Sequence, residues 1–175
     1  MSTVTIVLLL VALQRLVELA YAEHNTRRLR AAGAIEIASG HYPLFILLHG
    51  SWLVALLLFV PADAPVNWPL LCLFVLLQLA RVWVVGTLGR FWTTRIITLP
   101  GAPLVARGPY RFVRHPNYLV VIGEIAVLPL VFGAWQIALI YSILNLALLA
   151  WRIRAENAAL AARRGLNSTA GAVTN

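Results

Sequence analysis

The sequence predicts an all-α integral membrane protein, a bundle of five transmembrane helices. Of its 175 residues, 61% are hydrophobic, and its mean hydropathy of +0.85 is well above that of an ordinary soluble domain. Five apolar stretches approach the length of about 20 residues that a helix needs to cross the hydrocarbon core of a bilayer. They cover residues 3–22, 42–60, 68–88, 117–132 and 134–152.

The C-terminal part of the chain has its own organisation. Only Gly133 separates the fourth and fifth stretches, which predicts a tight helical hairpin. The fifth helix is expected to leave the membrane and continue to about residue 164, so that residues 1–165 form a single membrane domain. Residues 166–175 are small and polar, which predicts a disordered tail.

The distribution of arginine predicts the orientation of the bundle. All 14 basic residues are arginines, and most fall in three polar segments, which the positive-inside rule places in the cytoplasm. The short loop after the second stretch carries only Asp63 and lies on the other side. Five crossings therefore put the N-terminus outside and the C-terminus in the cytoplasm. The three segments contain Arg27, Arg28 and Arg30; Arg90, Arg95, Arg107, Arg111 and Arg114; and Arg152, Arg154, Arg163 and Arg164.

Composition and motifs exclude several functions. A net charge of +8 suits anionic membrane lipids, whereas nucleic acid binding needs a solvated basic face that so apolar a chain does not supply. The single cysteine, Cys72, excludes an intrachain disulfide. No phosphate-binding or dinucleotide-binding loop occurs, and no set of side chains has metal-ligand spacing, so no metal site is predicted.

Charged side chains inside the predicted spans are functional candidates because they are costly in a bilayer. Arg15 and Glu18 are three residues apart and can pair on one face of the first helix. Arg81 lies about one turn from the cytoplasmic end of the third helix and can reach the interface. Glu124 stands two turns into the fourth helix without a basic residue at i±3 or i±4. It must be neutral, paired across helices, or in a polar cavity.

The segment "RHPNY" opens the fourth helix. Pro116 suits the first helical position because its φ is fixed and it lacks an N–H group. The free backbone N–H groups and the positive end of the helix dipole, beside Arg114 and His115, favour an anionic ligand group such as a carboxylate. Basic residues at a cytoplasmic helix start are equally what topology alone requires.

A second polar group lies where the fifth helix leaves the membrane. In "WRIRAEN", Arg152 and Glu156 are four residues apart on one helix face. Because the turn at Gly133 returns the fifth helix alongside the fourth, Glu156 is expected on the same membrane side as His115. The alternative is a solvent-exposed salt bridge that contributes little.

The sequence resembles the isoprenylcysteine carboxyl methyltransferase family. "GPYRFVRHPNY" is similar to the family pattern G-P-Y-x-x-x-R-H-P-x-Y, and "RIRAENAAL" is similar to R-I-x-x-E-E-x-x-L, with Asn157 in place of the second acid. The N-terminal half resembles a bacterial branch that includes alkylpyrone-methylating enzymes. The resemblance implies an integral enzyme of the bacterial cytoplasmic membrane that uses S-adenosylmethionine on the cytoplasmic side.

The resemblance also implies roles for individual residues. The cofactor carboxylate is expected near Arg114, His115 and the N–H groups that follow Pro116, with Tyr110 or Tyr118 nearby. Glu156, beside Arg152, is expected to bind the amino group or the ribose hydroxyls of the cofactor. A lipophilic or prenylated acceptor would enter from the bilayer.

The acceptor determines which further residues are needed. A carboxylate acceptor needs no base, whereas a hydroxyl benefits from one, for which Glu124 and His115 are candidates. Arg90 and Arg95 are candidates for holding an anionic acceptor, although topology alone also explains them. Alternative functions are an NADPH-dependent sterol or enone reductase, a phospholipid N-methyltransferase, and a non-enzymatic membrane scaffold.

Overall fold

The computed structural model describes residues 1–172 apart from 38, 39, 41, 103 and 104, and side chains as far as Glu156. Over this part of the chain the fold is helical, as predicted. Two strands of two residues each, β1 and β2, pair antiparallel with Ile35 opposite Thr98, and the sequence did not predict them. The elements are α1 (Thr3–Ala31), β1 (Ile35–Glu36), α2 (Tyr42–Phe59), α3 (Trp68–Leu88), β2 (Ile97–Thr98), α4 (Pro116–Val131) and α5 (Trp135–Ala172), with short 3-10 helices at Gly89–Phe91 and Gly108–Arg111.

Four of the helices are long and apolar enough to cross a membrane: α1, α2, α3 and α5. These four helices match the predicted spans in length and apolar composition. The fourth predicted span, α4, is an apolar helix of only 16 residues, or about 24 Å at 1.5 Å per residue. It packs against both α3 and α5, and half of its residues are buried, so protein covers much of the surface that a lipid-facing helix would expose.

The first helix is longer than its apolar stretch. The sequence placed its end near residue 22, whereas α1 continues to Ala31 and is followed by Gly33 at a φ of +88°. The extension is stable because Asn25, Thr26 and Leu29 are buried on its inner face. Hydropathy detected only the apolar part of α1.

At one end of the bundle, polar contacts connect the segments that follow α1 and α3. We call this end the polar end. The buried Asn25 amide donates to the backbone oxygens of Gly89 (3.1 Å) and Trp92 (3.0 Å), fixing the 3-10 turn after α3 to the side of α1. Glu36 on β1 pairs with both Arg30 and Arg95, which ties the β ladder to the same end. The arginine-rich segments after α1 and α3 therefore lie together.

Replacing Asn25 by alanine is expected to lower the free energy of unfolding by about 1–3 kcal/mol, because the Trp92 oxygen loses its buried donor and the Gly89 oxygen keeps only the Trp92 N–H. Thermal unfolding in detergent micelles, followed by circular dichroism, measures this loss. The neighbouring His24, which is exposed, gives a matched control in His24→Ala. Equal melting temperatures for the two variants would contradict the role of the Asn25 amide.

The opposite end of the bundle is an apolar core. The backbone N–H of Asn67 donates to the Val131 oxygen at 2.8 Å, joining the start of α3 to the end of α4. The loop that carries Asp63 therefore lies beside the turn between α4 and α5. The buried side chains of this core include Val4, Leu8, Val11, Trp52, Leu56, Val60, Phe74, Val121, Ile125, Leu128, Val131 and Phe132.

The fifth helix continues well past its apolar part. Its membrane-length section is Trp135–Glu156, and its backbone is helical to Ala172. The helix thus passes residue 164, where the sequence predicted its end, and includes most of the segment expected to be a disordered tail. Residues 173–175 lie outside the described part of the chain.

Candidate functional site

The fourth helix begins at the "RHPNY" segment as the sequence predicts. Pro116 is the first residue of α4, and His115 is the N-cap but makes no side-chain capping hydrogen bond. The His115 ring instead stacks on the Tyr118 ring, with centroids 5.1 Å apart and planes 15° from parallel. The first turn of α4 therefore presents an imidazole and a phenol together.

Residues from α5 complete this group. The Tyr118 hydroxyl donates to Glu156 Oε2 at 2.6 Å and accepts a hydrogen bond from Arg152 Nε at 2.9 Å. His115 Nδ1 lies 3.6 Å from the same Glu156 oxygen. We call His115, Tyr118, Arg152 and Glu156 the interhelical cluster. The structure thus brings together the two motifs that the sequence predicted to converge.

The interhelical cluster combines both charges with partial access. Side-chain exposures of 21% for His115 and 29% for Glu156 leave room for a ligand to reach them. Arg152 and Glu156 are joined through the Tyr118 hydroxyl rather than by a direct ion pair. A ligand with an anionic and a cationic group has a complementary partner for each of them here.

Asn117 supplies an unpaired acceptor at the same helix start. Its Oδ1 is buried and has no hydrogen-bond donor among the residues that the structure describes. Because a buried polar atom without a partner costs about 1–3 kcal/mol, such atoms are rare in native structures and call for a missing partner. The Asn117 side chain did not stand out in the sequence, since it lies inside the motif without a charge.

Tyr110 lies beside the interhelical cluster, on the 3-10 helix that precedes α4. It packs against the buried residues Ala22, Val84, Trp92 and Val120. Burial raises the pKa of its hydroxyl, and the charge of Glu156 raises it further. Tyr110 therefore keeps its proton at neutral pH and can act as a donor.

Gly108 fixes the 3-10 helix that carries Tyr110 against α3. Its φ of +56° lies in the left-handed region, and a Cβ there would be 2.7 Å from Thr87 Oγ1. Any larger residue would strain the backbone and displace Thr87. The glycine of the "GPYR" segment is thus required by geometry.

Three predicted site arginines lie outside the interhelical cluster. Arg114 is exposed. Arg90 lies over the Phe91 ring at 4.9 Å, while Arg95 pairs with Glu36 at 3.0 Å and lies over the Tyr42 ring at 4.1 Å. None of the three has a hydrogen bond or ion pair with a cluster residue in the described part of the chain.

Arg95 and the start of α2 line an open, mostly apolar groove. Its volume is about 440 Å³, and it is lined by Tyr42, Pro43, Ile46, Leu47 and Arg95. Ile46 and Leu47 are 46% and 67% exposed, so the groove opens to the outer surface of the bundle. An apolar surface with one cationic residue at its edge suits a lipophilic molecule that carries a polar head.

The charged residues inside the spans form one buried network. Arg15 and Glu18 pair as predicted, at 3.2 Å, and both reach across to other helices. Arg81 Nε donates to both Glu18 oxygens at 2.7 and 2.8 Å, and Arg81 Nη1 donates to Glu124 Oε2 at 2.8 Å. The expectation that Arg81 reaches the interface is wrong, because its side chain is only 7% exposed.

Glu124 is the centre of this buried network. It accepts hydrogen bonds from Arg15 (2.6 Å) and Arg81 (2.8 Å) on one oxygen and from Gln78 (3.0 Å) on the other. Its side chain is 1% exposed. Of the three states that the sequence left open, pairing across helices is the one that the structure shows. Two arginines and two glutamates balance each other, which explains how the bundle holds four charges within its spans.

The second helix contributes residues that the sequence analysis missed. The Arg152 guanidinium lies over the Phe45 ring at 5.3 Å, so α2 forms one wall of the interhelical cluster. His49 follows one turn later, and its ring centroid is 6.3 Å from that of Phe45. A histidine inside an apolar span was the signal that could have pointed to α2, because polar side chains are rare in such spans.

The fold and the site together define a polytopic membrane protein with a polar, partly open site between α4 and α5 at one end of its bundle. Residues 70–162, which contain the whole interhelical cluster, match the model of the isoprenylcysteine carboxyl methyltransferase (ICMT) family. The chain belongs to this family, which is a family of membrane methyltransferases.

A bacterial relative extends the similarity beyond the matched region. The uncharacterized protein YpbQ of Bacillus subtilis (strain 168) is 40% identical over 151 residues, which cover 84% of this chain and 90% of the relative. The similarity therefore includes much of the N-terminal half, where α1 and α2 lie. No solved structure matches the chain.

Proposed function

We propose that this protein is an S-adenosylmethionine-dependent O-methyltransferase that acts on a carboxylate or hydroxyl of a lipophilic acceptor. The observation that carries the proposal is the contact of Tyr118 and His115 with Glu156. This contact joins the two family motifs into one site whose charges complement an amino acid. The family membership supplies the reaction class.

The arrangement of the bundle supports an orientation for this site. The basic segments after α1 and α3 lie at the polar end of the bundle. The interhelical cluster lies at the same end, because Arg152 contacts Phe45 near the start of α2 and Arg95 contacts Tyr42 there. The loop with Asp63 lies at the other end. Under the positive-inside rule the polar end faces the cytoplasm. The N-terminus is then outside, and the site lies at the inner leaflet of the bacterial cytoplasmic membrane, where a soluble methyl donor reaches it.

The residues of the interhelical cluster fit the cofactor chemically. S-adenosylmethionine carries a carboxylate, an ammonium group, hydroxyls and a purine amine. Arg152 and the positive end of the α4 dipole suit the carboxylate. Glu156 suits the ammonium group or the ribose hydroxyls, and the unpaired Asn117 oxygen suits an N–H donor.

The bound cofactor would supply an electrophilic methyl group on a sulfonium centre. The contribution of the protein is to hold donor and acceptor in line, which accounts for a large part of such rate enhancements. Tyr118 orients both Arg152 and Glu156 through its hydroxyl. The groove along α2 would take the apolar part of an acceptor that arrives sideways from the bilayer.

Glu124 has a different role in this proposal. Both of its oxygens accept hydrogen bonds, and its side chain has almost no accessible surface. A carboxylate held between two arginines is a poor base and does not reach an acceptor. We assign it to the stability of the bundle, together with Arg15, Glu18 and Arg81.

Ligand titration tests the proposal. Purified protein in detergent micelles or nanodiscs is expected to bind S-adenosylmethionine saturably in isothermal titration calorimetry and to show no heat of binding with NADPH. Incubation with lipid extracts and the cofactor is expected to give products heavier by one methyl group in mass spectrometry. Binding of NADPH alone would instead indicate a reductase, and binding of neither cofactor would favour a scaffold.

A further inference from the structure

We infer that His49 on α2 is the proton acceptor for a hydroxyl acceptor, a role that rests on the proposed methyl transfer. His49 Nδ1 lies 2.8 Å from the backbone oxygen of Phe45. A carbonyl oxygen only accepts hydrogen bonds, so Nδ1 must carry the proton. In the neutral ring the lone pair is then on Nε2, which makes no hydrogen bond with the described residues. The local structure of α2 thus fixes the tautomer of His49 and leaves the Nε2 lone pair without a donor among the described residues.

His49 lies one helical turn from the contact that joins α2 to the interhelical cluster. Phe45, one helical turn earlier, contacts the Arg152 guanidinium of the interhelical cluster. One turn along α2 corresponds to about 6 Å, so His49 lies about one turn further from the polar end than this contact. An acceptor whose tail lies in the bilayer would bring its head to this depth from the apolar side.

The surroundings of His49 favour a polar head group between α2 and α5. The two helices contact each other and run in opposite directions between the two ends of the bundle. Trp52 and Asn145 are each seven residues, or about two turns, from the Phe45–Arg152 contact, so they lie at a similar depth on the inner faces of their helices. Trp52 Nε1 and both amide atoms of Asn145 are buried and unpaired within the described structure.

Unpaired polar atoms at this depth are costly, since lipid offers them no hydrogen bonds. Trp52 offers a donor, Asn145 a donor and an acceptor, and His49 an acceptor. A head group with more than one oxygen would satisfy several of them at once.

In the methyl transfer step, the acceptor, the sulfonium donor and His49 account for every bond and for the proton. The hydroxyl oxygen of the acceptor attacks the methyl carbon of the sulfonium donor, forming a C–O bond. The C–S bond breaks and its electron pair stays on sulfur, which becomes a neutral thioether. The acceptor proton passes to His49 Nε2, giving an imidazolium that returns the proton to water once the product leaves. A carboxylate acceptor has no proton to give. Its negatively charged oxygens would be repelled by the lone pair on His49 Nε2.

The test uses the full-length protein in nanodiscs with two alkylphenols of equal chain length. One is a plain phenol that is neutral at the assay pH, and the other carries nitro groups and is already ionised. His49→Phe is expected to lower kcat about 100-fold or more for the neutral phenol, as is typical for the loss of a general base. The loss for the ionised phenol is expected to be only a few-fold, and the affinity for S-adenosylmethionine to stay unchanged.

Controls keep the outcomes separate. His24→Phe changes an exposed histidine on α1 and is expected to leave both rates intact. His49→Gln replaces the Phe variant if the latter does not fold, and is expected to show the same difference between the two phenols. Equal losses for the two phenols, or no loss, would overturn the assignment, as would a wild-type protein that methylates matched fatty acids but neither phenol. A wild-type protein that does not bind S-adenosylmethionine would overturn the proposed function itself.

Discussion

Replacing Glu124 by leucine is expected to lower the free energy of unfolding by about 3–5 kcal/mol, the usual cost of removing one partner from a buried ion pair. Arg15 and Arg81 would then share the single carboxylate of Glu18, which leaves an uncompensated positive charge among the helices. Unfolding in mixed detergent and SDS micelles, followed by tryptophan fluorescence, measures the loss.

A charge-balanced double variant distinguishes this electrostatic explanation from a simple loss of packing. The double variant Arg15→Leu with Glu124→Leu keeps the two-point pairing of Arg81 with Glu18 and restores neutrality. It is expected to be more stable than the single variant, and a double variant that is equally unstable would contradict the electrostatic account. The control Glu23→Leu removes an exposed pair with Arg27, which is worth at most about 1 kcal/mol.

Replacing Glu156 by glutamine is expected to weaken the binding of S-adenosylmethionine about 10-fold to 100-fold. Hydrogen bonds to charged groups contribute about 1.5–3 kcal/mol, and each 1.4 kcal/mol changes affinity about tenfold. Glutamine keeps the size of the side chain but loses the charge that pairs with the cofactor and holds Tyr118. Isothermal titration calorimetry in nanodiscs gives the dissociation constant directly.

The control for this variant is Glu23→Gln, the same chemical change on an exposed part of α1. It is expected to bind the cofactor normally. Tyr118→Phe is expected to fall between the two, because it removes the hydroxyl that positions Arg152 and Glu156 but leaves both charges. Unchanged affinity in Glu156→Gln, with the protein folded, would remove Glu156 from the binding site.

The sequence predicted that the two motifs converge, because local rules control the parts of the chain that carry them. Pro116 begins α4 because its φ is fixed and it lacks an N–H group, and both properties belong to this residue alone. The spacing of Arg152 and Glu156 placed both side chains on one face of α5. The meeting of Glu156 with His115 then required only that α5 return beside α4.

The partners of the buried charges were beyond the reach of the sequence. Arg81 was expected to extend to the interface, since a long side chain near a helix end usually does so. It instead pairs with Glu18 and Glu124, which are 63 and 43 residues away in the chain. No local pattern encodes such a contact, because it depends on which faces of α1, α3 and α4 meet.

The apolar runs, the arginine pattern and the two motifs by themselves determined a helical membrane protein and the residues of its interhelical cluster, because hydropathy and helix periodicity act over short distances. Only the tertiary structure decided that Glu124 is a structural ion-pair partner, and that Phe45 of α2 stands beside the cluster with His49 one turn further along the helix. The physical reason is that burial and pairing are properties of packed helix faces: the same carboxylate is a candidate base in an open cavity and a fixed counter-ion between two arginines.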